Sequence, residues 1–535
     1  MKARVTQGGV LGDIETASWL PLVIVMLCQV QLSFNAFNVS ISGITHDLNI
    51  PATSVGTALT TGTFAMACFI LVGAKIGAKI GIRRAFQIGV VIPAISAAVI
   101  AVAVNGPMLF VAQAVSGASV ALSAPALTVL IASNYRGRQQ AQAVGFLASA
   151  IPLAQVVSLL IAGYLASTVG WRWSFWLLAA IGVVNFTASW LLKPLPPQHD
   201  LAIDVRGAIL SSIAILCISF GFSGLESWGA LLATPSAPFN VLGVSPVPLL
   251  LILGVIFAQA FFAWTRRRMD AGQPALFSLE VLNTSQKRAT VWCMAMMLFV
   301  GTATSFLLPL YMQVVQGLSG FSTSLSIVPY TLSIFVANTL VVRLYDRFTP
   351  SQIARTAFIV VAAALMLLAF AIRNDWSQFV IVIGLVTLGL AQGCIVALVF
   401  NTLLGASPKE LAGDVGAWRG LTHNVSGSVG IAVGNTVAVF VLATLISSNL
   451  SGNTIITPGL QSQLNFDNVN FITNDQLSAV LSKRAATPEQ ISEAVRINSE
   501  VRLRALRTTL LLLGALALLA IVPAGRMPGR APPGA

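Results

Sequence analysis

Amide side chains punctuate the most apolar stretches of this chain: Gln29, Gln31, Asn35 and Asn38, then Gln113, Gln155, Gln313 and Gln392. An amide both donates and accepts. Among apolar neighbours it either ties one helix to the next or reads an uncharged ligand, with aromatic faces such as Phe34, Phe37 and Trp418 supplying the rest of the contact. Ser33 sits inside the first group, and His423 lies in the thirteenth apolar stretch. His423 is the one side chain in these stretches whose ordinary pKa falls near physiological pH. It either carries a proton between two states or is a hydrogen-bonded structural histidine. No Asp or Glu falls near the middle of any apolar stretch. Ionisable groups inside a membrane span mark ion and proton paths, so their absence is the sharpest chemical feature of the sequence.

The elements that must position these residues are membrane helices. Of 535 residues, 56% are hydrophobic and 9% charged, and the mean hydropathy of +0.85 excludes an ordinary soluble globular protein. Six spans are expected near 18–41, 54–76, 85–104, 108–133, 140–166 and 172–192, then two near 205–225 and 247–265. Six more follow near 289–312, 321–342, 353–371, 377–403, 415–447 and 505–523. The expected organisation is an all-α membrane protein of fourteen spans: a six-helix bundle over 1–195, two inserted helices over 203–268 and a second six-helix bundle over 285–525.

The formal charge of +13 would suggest a nucleic-acid partner in a soluble domain. Here the bases fall in short alternate loops, as Lys75, Lys79, Arg83 and Arg84, then Arg136 and Arg138, then Arg266, Arg267 and Arg268, then Arg343, Arg347, Lys409 and Arg419. That bias places both termini in the cytoplasm and fits the plasma membrane, in a bacterium the inner membrane, with no nucleic-acid partner. Arg502, Arg504 and Arg507, where the long external loop 449–503 meets the last span, run against it, but long loops escape the rule. Within that loop Thr487-Pro488-Glu489-Gln490 has the form of a capping box and starts a helix that can run into the last span. Cys28, Cys68, Cys217, Cys293 and Cys394 all lie in apolar spans without metal-ligand spacing, so neither disulfides nor a metal site is expected.

After the second span the chain reads Gly73-Ala74-Lys75-Ile76-Gly77-Ala78-Lys79-Ile80-Gly81-Ile82-Arg83-Arg84, and after the tenth Val342-Arg343-Leu344-Tyr345-Asp346-Arg347-Phe348-Thr349. Lys75 aligns with Arg343 and Lys79 with Arg347, an internal repeat. These turns resemble the basic inner-loop signature of the major facilitator superfamily. With the two extra helices, Trp171-Arg172-Trp173-Ser174-Phe175, Asp204-Val205-Arg206-Gly207-Ala208 and Leu308-Pro309-Leu310-Tyr311-Met312-Gln313, the whole chain resembles the fourteen-span drug:proton antiporters of that superfamily. The resemblance implies two six-helix bundles rocking about a central cavity, and a gating role for Gly77, Lys79, Gly81, Arg83, Arg84, Asp346 and Arg347.

The resemblance also shows what is missing. Where the family carries Leu-Asp-x-Thr-Ile-Val-Asn in its first span, this chain has Leu32-Ser33-Phe34-Asn35-Ala36-Phe37-Asn38. Where the fourth span of the family carries Ala-Arg-x-Leu-Gln-Gly, this chain has Ala112-Gln113-Ala114-Val115-Ser116-Gly117. Ser33 lies roughly 18 Å of helix from the inner edge of its span and Gln113 about five residues from its outer edge, so the two are expected at similar depth, facing across the cavity. The signature Asp of the inner turn is Ala78, and His423-Asn424 stands where the family has an Arg-Gln pair.

The cavity expected from Gln31, Ser33, Phe34, Asn35, Gln113, Gln155, Gln313, Trp418 and His423 is neutral and suits a neutral or amphipathic small molecule. The reading is a transporter exporting drugs or metabolites with altered proton coupling and no cofactor beyond a proton gradient. An uncoupled facilitator or translocator of lipid-like substrates, and a non-transporting membrane partner or sensor, are the alternatives. No nucleophile, base and orienting group converge, which argues against an enzyme.

Overall fold

The structure, a computed structural model, describes residues 18–34, 36–135, 137–198, 201–345, 347–373, 379–407, 411–450, 453, 455, 474–483 and 486–528. Asn35 and Asp346 therefore lie outside the described residues. The chain is almost wholly helical, as a bilayer requires when every backbone donor and acceptor must be satisfied within its own segment.

The helices of the first bundle are α1 (Leu20–Leu32), α2 (Ala36–Leu48), α3 (Ala52–Ile80), α4 (Ile82–Ala101), α5 (Gly106–Asn134), α6 (Gly137–Thr168) and α7 (Arg172–Ala188). Then come α8 (Val205–Trp228) and α9 (Pro246–Asp270). The second bundle holds α10 (Ser285–Leu310), α11 (Gly320–Leu340), α12 (Pro350–Ala371), α13 (Phe379–Gly405), α14 (Ala412–Leu450), α15 (Asn474–Lys483) and α16 (Pro488–Leu519). Thirteen segments among the described residues are long and apolar enough to cross a membrane, and α6 contributes a shorter apolar stretch, Leu153–Thr168.

Polar caps start many of these helices, because the first turn leaves backbone donors without partners. Asn105 accepts from the Met108 N–H at 3.0 Å, Asp204 from Gly207 at 3.0 Å and Thr284 from Lys287 at 3.2 Å. The capping box at Thr487 forms as expected, and α16 runs unbroken from the polar loop into the last span. Gly81, at φ +98°, makes the one-residue turn between α3 and α4, a conformation that disfavours any side chain.

The first expected span departs from the hydropathy reading. It covers 20–48 as two helices, broken at Ser33 and Phe34. The Ser33 N–H closes α1 onto the Gln29 carbonyl at 3.0 Å, and its own carbonyl is taken by the Ser158 hydroxyl of α6 at 3.2 Å. A break inside a bilayer persists where neighbouring helices satisfy the freed groups in this way.

The inserted pair has a defined place. Helices α8 and α9 pack on each other, and α8 also lies against α3 and α14, along the seam where the two bundles meet. Ser212 of α8 donates to the Cys68 carbonyl at 3.0 Å, and Ile215 joins an apolar cluster with Phe64, Ala67 and Cys68, against which Leu421, Val425 and Val429 pack. Asp204, 1% exposed, accepts from Trp264 at 3.0 Å and ties the start of α8 to α9.

Candidate functional site

The break between α1 and α2 opens onto a cavity of about 230 Å³ inside the first bundle. Gln31, Phe34, Phe37 and Asn38 line it from the broken span, Thr63 and Met66 from α3, Gln113 and Ser116 from α5, and Phe175 from α7. No Asp, Glu, Lys or Arg lines it. Five of the residues singled out in the sequence, Gln31, Phe34, Phe37, Asn38 and Gln113, are thus brought together.

Hydrogen bonding separates the structural amides from the available ones. Gln31 donates to the Val90 carbonyl at 3.0 Å and accepts from Asn185 at 2.8 Å, so it ties α1 to α4 and α7. Gln392 accepts from the Tyr330 hydroxyl at 2.5 Å within the second bundle. The side-chain amides of Gln113 and Asn38, by contrast, have no hydrogen-bond partner among the described residues and face the cavity. An amide left open in a polar pocket is what a hydrogen-bonding ligand requires.

Ser33 is beside this cavity rather than in its lining. Its hydroxyl accepts from Gln29 at 2.9 Å, one turn back on the same helix, and its side chain is buried. The expected face-to-face arrangement of Ser33 and Gln113 therefore reduces to Gln113 facing Ser33's neighbours, Leu32 and Phe34. Gln155 is half-buried on α6 and contributes its carbonyl to Ser158 at 3.1 Å.

Gln313 joins the two bundles. It lies in a short π-helical turn, Tyr311–Val315, that follows α10. Its amide donates to the Asn38 carbonyl at 2.6 Å, and its carbonyl oxygen accepts from the Ser42 N–H at 3.3 Å. Nearby, Ser324 of α11 donates to the Leu159 carbonyl of α6 at 2.7 Å, and α11 comes so close that a Cβ on Gly320 would meet the Val39 carbonyl oxygen at 2.5 Å. Together these contacts close the bundles against each other at the end of the molecule that carries Asp47, itself paired with Arg172.

At the other end, marked by Gly81, the lining of α14 differs. Between Val415 and Val439 only Gly416 and His423 are exposed. They are two turns apart on one face, and nothing lies within 4 Å of where a Cβ on Gly416 would be. The opening ends above His423, where Thr302 donates to the Gly427 carbonyl at 2.8 Å and the hydroxyls of Thr63 and Ser428 touch. Arg419, one turn before His423, holds its guanidinium 4.4 Å over the Phe400 ring. The sequence reading took Arg419 for an inner-loop base. It stands seven residues into α14, roughly 10 Å along the helix. Its position four residues before His423 was the available signal. Thr63 and Ser116 were also missed; each lies one residue from a glycine, Gly62 and Gly117, at the close crossing of α3 and α5.

Trp418 points away from both openings. It packs edge-on to Phe277 at 4.7 Å and stacks on Phe262 at 6.2 Å, anchoring α9 and the segment after it to α14. Of the expected gating residues, Gly77 packs on Ala85, Arg83 lies 4.9 Å over the Trp190 ring, and Lys79, Arg84 and Arg347 are exposed. Lys75 donates to the Ala275 carbonyl in the segment after α9.

A larger open groove, about 820 Å³, runs between α4 and α7 and is lined by Ile88, Val91, Ile95, Trp176 and Val183. Its lining is almost entirely apolar and faces outward, so bilayer hydrocarbon would fill it. The smaller polar cavity is the better candidate for recognising a solute.

Comparison with known proteins agrees with this architecture. Residues 23–431 match the model of the Major Facilitator Superfamily. The chain is 25% identical over 441 residues to the puromycin resistance protein of Streptomyces alboniger, an alignment covering 81% of this chain and 84% of that protein. It is 23% identical over 419 residues to the tetracenomycin C resistance and export protein of Streptomyces glaucescens, covering 78% and 75%. Among solved structures, a bacterial homolog to the human lysosomal transporter Spinster, in an inward-facing and occupied conformation, superposes with a TM-score of 0.63 at 14% identity, over 95% of each chain.

Proposed function

The chain belongs to the major facilitator superfamily and is an integral membrane transporter, not an enzyme; on that premise we propose that it exports small amphipathic compounds by alternating access. The proposed substrate cavity is the opening at the broken first span, where the unpartnered amides of Gln113 and Asn38 and the rings of Phe34, Phe37 and Phe175 offer hydrogen bonds and apolar faces together. That cavity is the observation that carries the reading. The resistance and export functions in the names of two relatives support it.

In this reading the Gly81 end is cytoplasmic, as the Lys/Arg bias of the loops suggests, and the Gln313 and Ser324 contacts seal the external end. The inner opening then reaches His423, and the Thr63–Ser428 contact stands between it and the cavity. Transport requires those external contacts to part while the Gly81 end closes. Proton coupling is altered, because Ser33 and Gln113 leave the cavity without an ionisable pair. An uncoupled facilitator is the second reading favoured by the same two residues.

The test is flux in proteoliposomes with neutral, anionic and cationic aromatic probes, with and without an imposed pH gradient. Flux of an amphipathic probe that depends on Gln113 and is insensitive to the pH gradient is the expected result. Absence of flux for all probes would overturn the transport site. A strict requirement for the pH gradient would overturn the altered coupling.

A further inference from the structure

We propose that Arg419 and His423 form an anion-binding subsite on the substrate path and select acidic amphiphiles: compounds with an apolar ring system at one end and a carboxylate or similar anion at the other. The inference rests on the transport cavity described above and names the charge class it takes.

Three observations carry it. First, Arg419 is a half-buried cation with no carboxylate partner among the described residues. Its contact is the face of Phe400 at 4.4 Å, which leaves the donors around the guanidinium edge available. Asp414, five residues earlier, is nearest in sequence, but it accepts from the Ser278 backbone and faces Lys75; Glu410 lies outside the described residues. Second, His423 is exposed although the positions around it on α14 are buried or half-buried, and it shares its open face with Gly416. Around this stretch Gly420 packs on Ile70 of α3, Trp418 on Phe262 of α9 and Arg419 on Phe400 of α13, so helix geometry turns the open strip toward the gap between α3 and α13. Third, only a thin layer divides the strip from the cavity: Ser428, five residues beyond His423, touches Thr63, which lines the cavity, so parting that one contact joins the two spaces.

Helix rise turns this into a length. His423 lies about 8 Å and Arg419 about 14 Å along the axis from the Ser428 contact. A ring system that reaches the Thr63 contact would need its anion about 8 to 14 Å beyond that contact, the span of a flexible acyl chain. From α3, Ile70 packs on Gly420. Among the described residues the carboxylate nearest this path is Asp414, which faces Lys75, so a cation gains little there, whereas an anion meets a guanidinium fork suited to a carboxylate.

The experiment uses purified full-length protein and three matched probes: 6-(2-naphthyl)hexanoate, its primary amide and the corresponding amine. Isothermal titration should give the acid the highest affinity and the amine the lowest. Arg419→Gln should weaken the acid about tenfold or more while moving the amide less than about threefold, because a charge-assisted bond is lost and the apolar contacts remain. Arg419→Lys should recover part of the loss, since the charge stays and the planar fork does not. Retained amide binding shows that each variant is folded. An amine that binds as tightly as the acid, or an Arg419→Gln that weakens acid and amide equally, would overturn the subsite. Amide flux in proteoliposomes is measured alongside. Loss of flux with charge-selective binding intact would strike the transport reading and leave the subsite standing.

Discussion

Replacing Gln313 by leucine should unlatch the end of the molecule where the bundles meet. Gln313 makes two hydrogen bonds across the interface, at 2.6 Å to the Asn38 carbonyl and at 3.3 Å from the Ser42 N–H. Both partners are four residues apart on α2 and retain each other within the helical ladder, so the substitution leaves no orphaned backbone group behind. The loss is then the net worth of two buried bonds, about 1 to 2 kcal/mol after the longer one is discounted, or a factor of about 5 to 30 in the balance between closed and open ends. The shape of leucine preserves most of the apolar packing, which keeps the effect on this one equilibrium. Electron–electron distance measurements can read it, with spin labels at His46→Cys and Arg373→Cys in a background whose five cysteines are replaced. Gln313→Leu should add a longer-distance population absent from the parent. Gln392→Leu, which removes a buried amide bond inside one bundle, should not. A Gln313→Leu distribution superimposable on the parent would refute the latch.

Two further substitutions test the packing that holds the site. Gly117→Ala puts a Cβ inside the contact distance of the Gly62 carbonyl oxygen; forcing α3 and α5 apart there should cost about 1 to 3 kcal/mol, lower the melting temperature in detergent and weaken probe binding, since both helices line the cavity. Arg502→Met removes a fully buried cation that donates to Asn474 at 2.5 Å and to the Asn498 carbonyl at 3.2 Å; amide hydrogen exchange across Asn474–Lys483 should speed by about tenfold or more, and unchanged exchange would show that Arg502 does not pin α15.

What the sequence made legible was whatever hydropathy and local capping dictate. The spans, the helix start at Thr487 and the opening of α8 at Asp204 follow from the side chains within a few residues, and the structure has them there. The break at Ser33 did not show, because a window of about 19 residues averages over a two-residue interruption. The division of amides into structural and available ones did not show either: it depends on whether Val90 and Asn185 happen to lie beside Gln31, which is tertiary information. Arg419 was misread because a base near a span edge has the same composition signal in a loop as two turns into a helix. Two of the three arginines that ran against the charge bias have a local reason. Arg502 is buried under α15, and Arg507 donates to the Ile372 carbonyl at the end of α12 at 2.7 and 3.1 Å.

The lost carboxylate and the Arg419 cation on α14 bear on the same question, the energy source. Ser33 and Gln113 stand where the family has an Asp and an Arg, and an Arg kept at 113 would face a cavity with no acid in it, so loss of one partner favours loss of the other. A transporter without that pair can still export uphill when the substrate carries the charge. Moving one negative charge out of an inside-negative compartment releases about 2.3 kcal/mol per 100 mV, nearly a fifty-fold concentration ratio. Acid selection by Arg419 and His423 would thus replace proton exchange as the link to the membrane potential. In proteoliposomes clamped with potassium and valinomycin, flux of 6-(2-naphthyl)hexanoate should reverse when the sign of the potential is reversed and should be insensitive to a pH gradient at fixed potential. Flux of the neutral amide should ignore both. Acid flux that follows the pH gradient at zero potential would refute this link and return the search to His423 as a proton carrier.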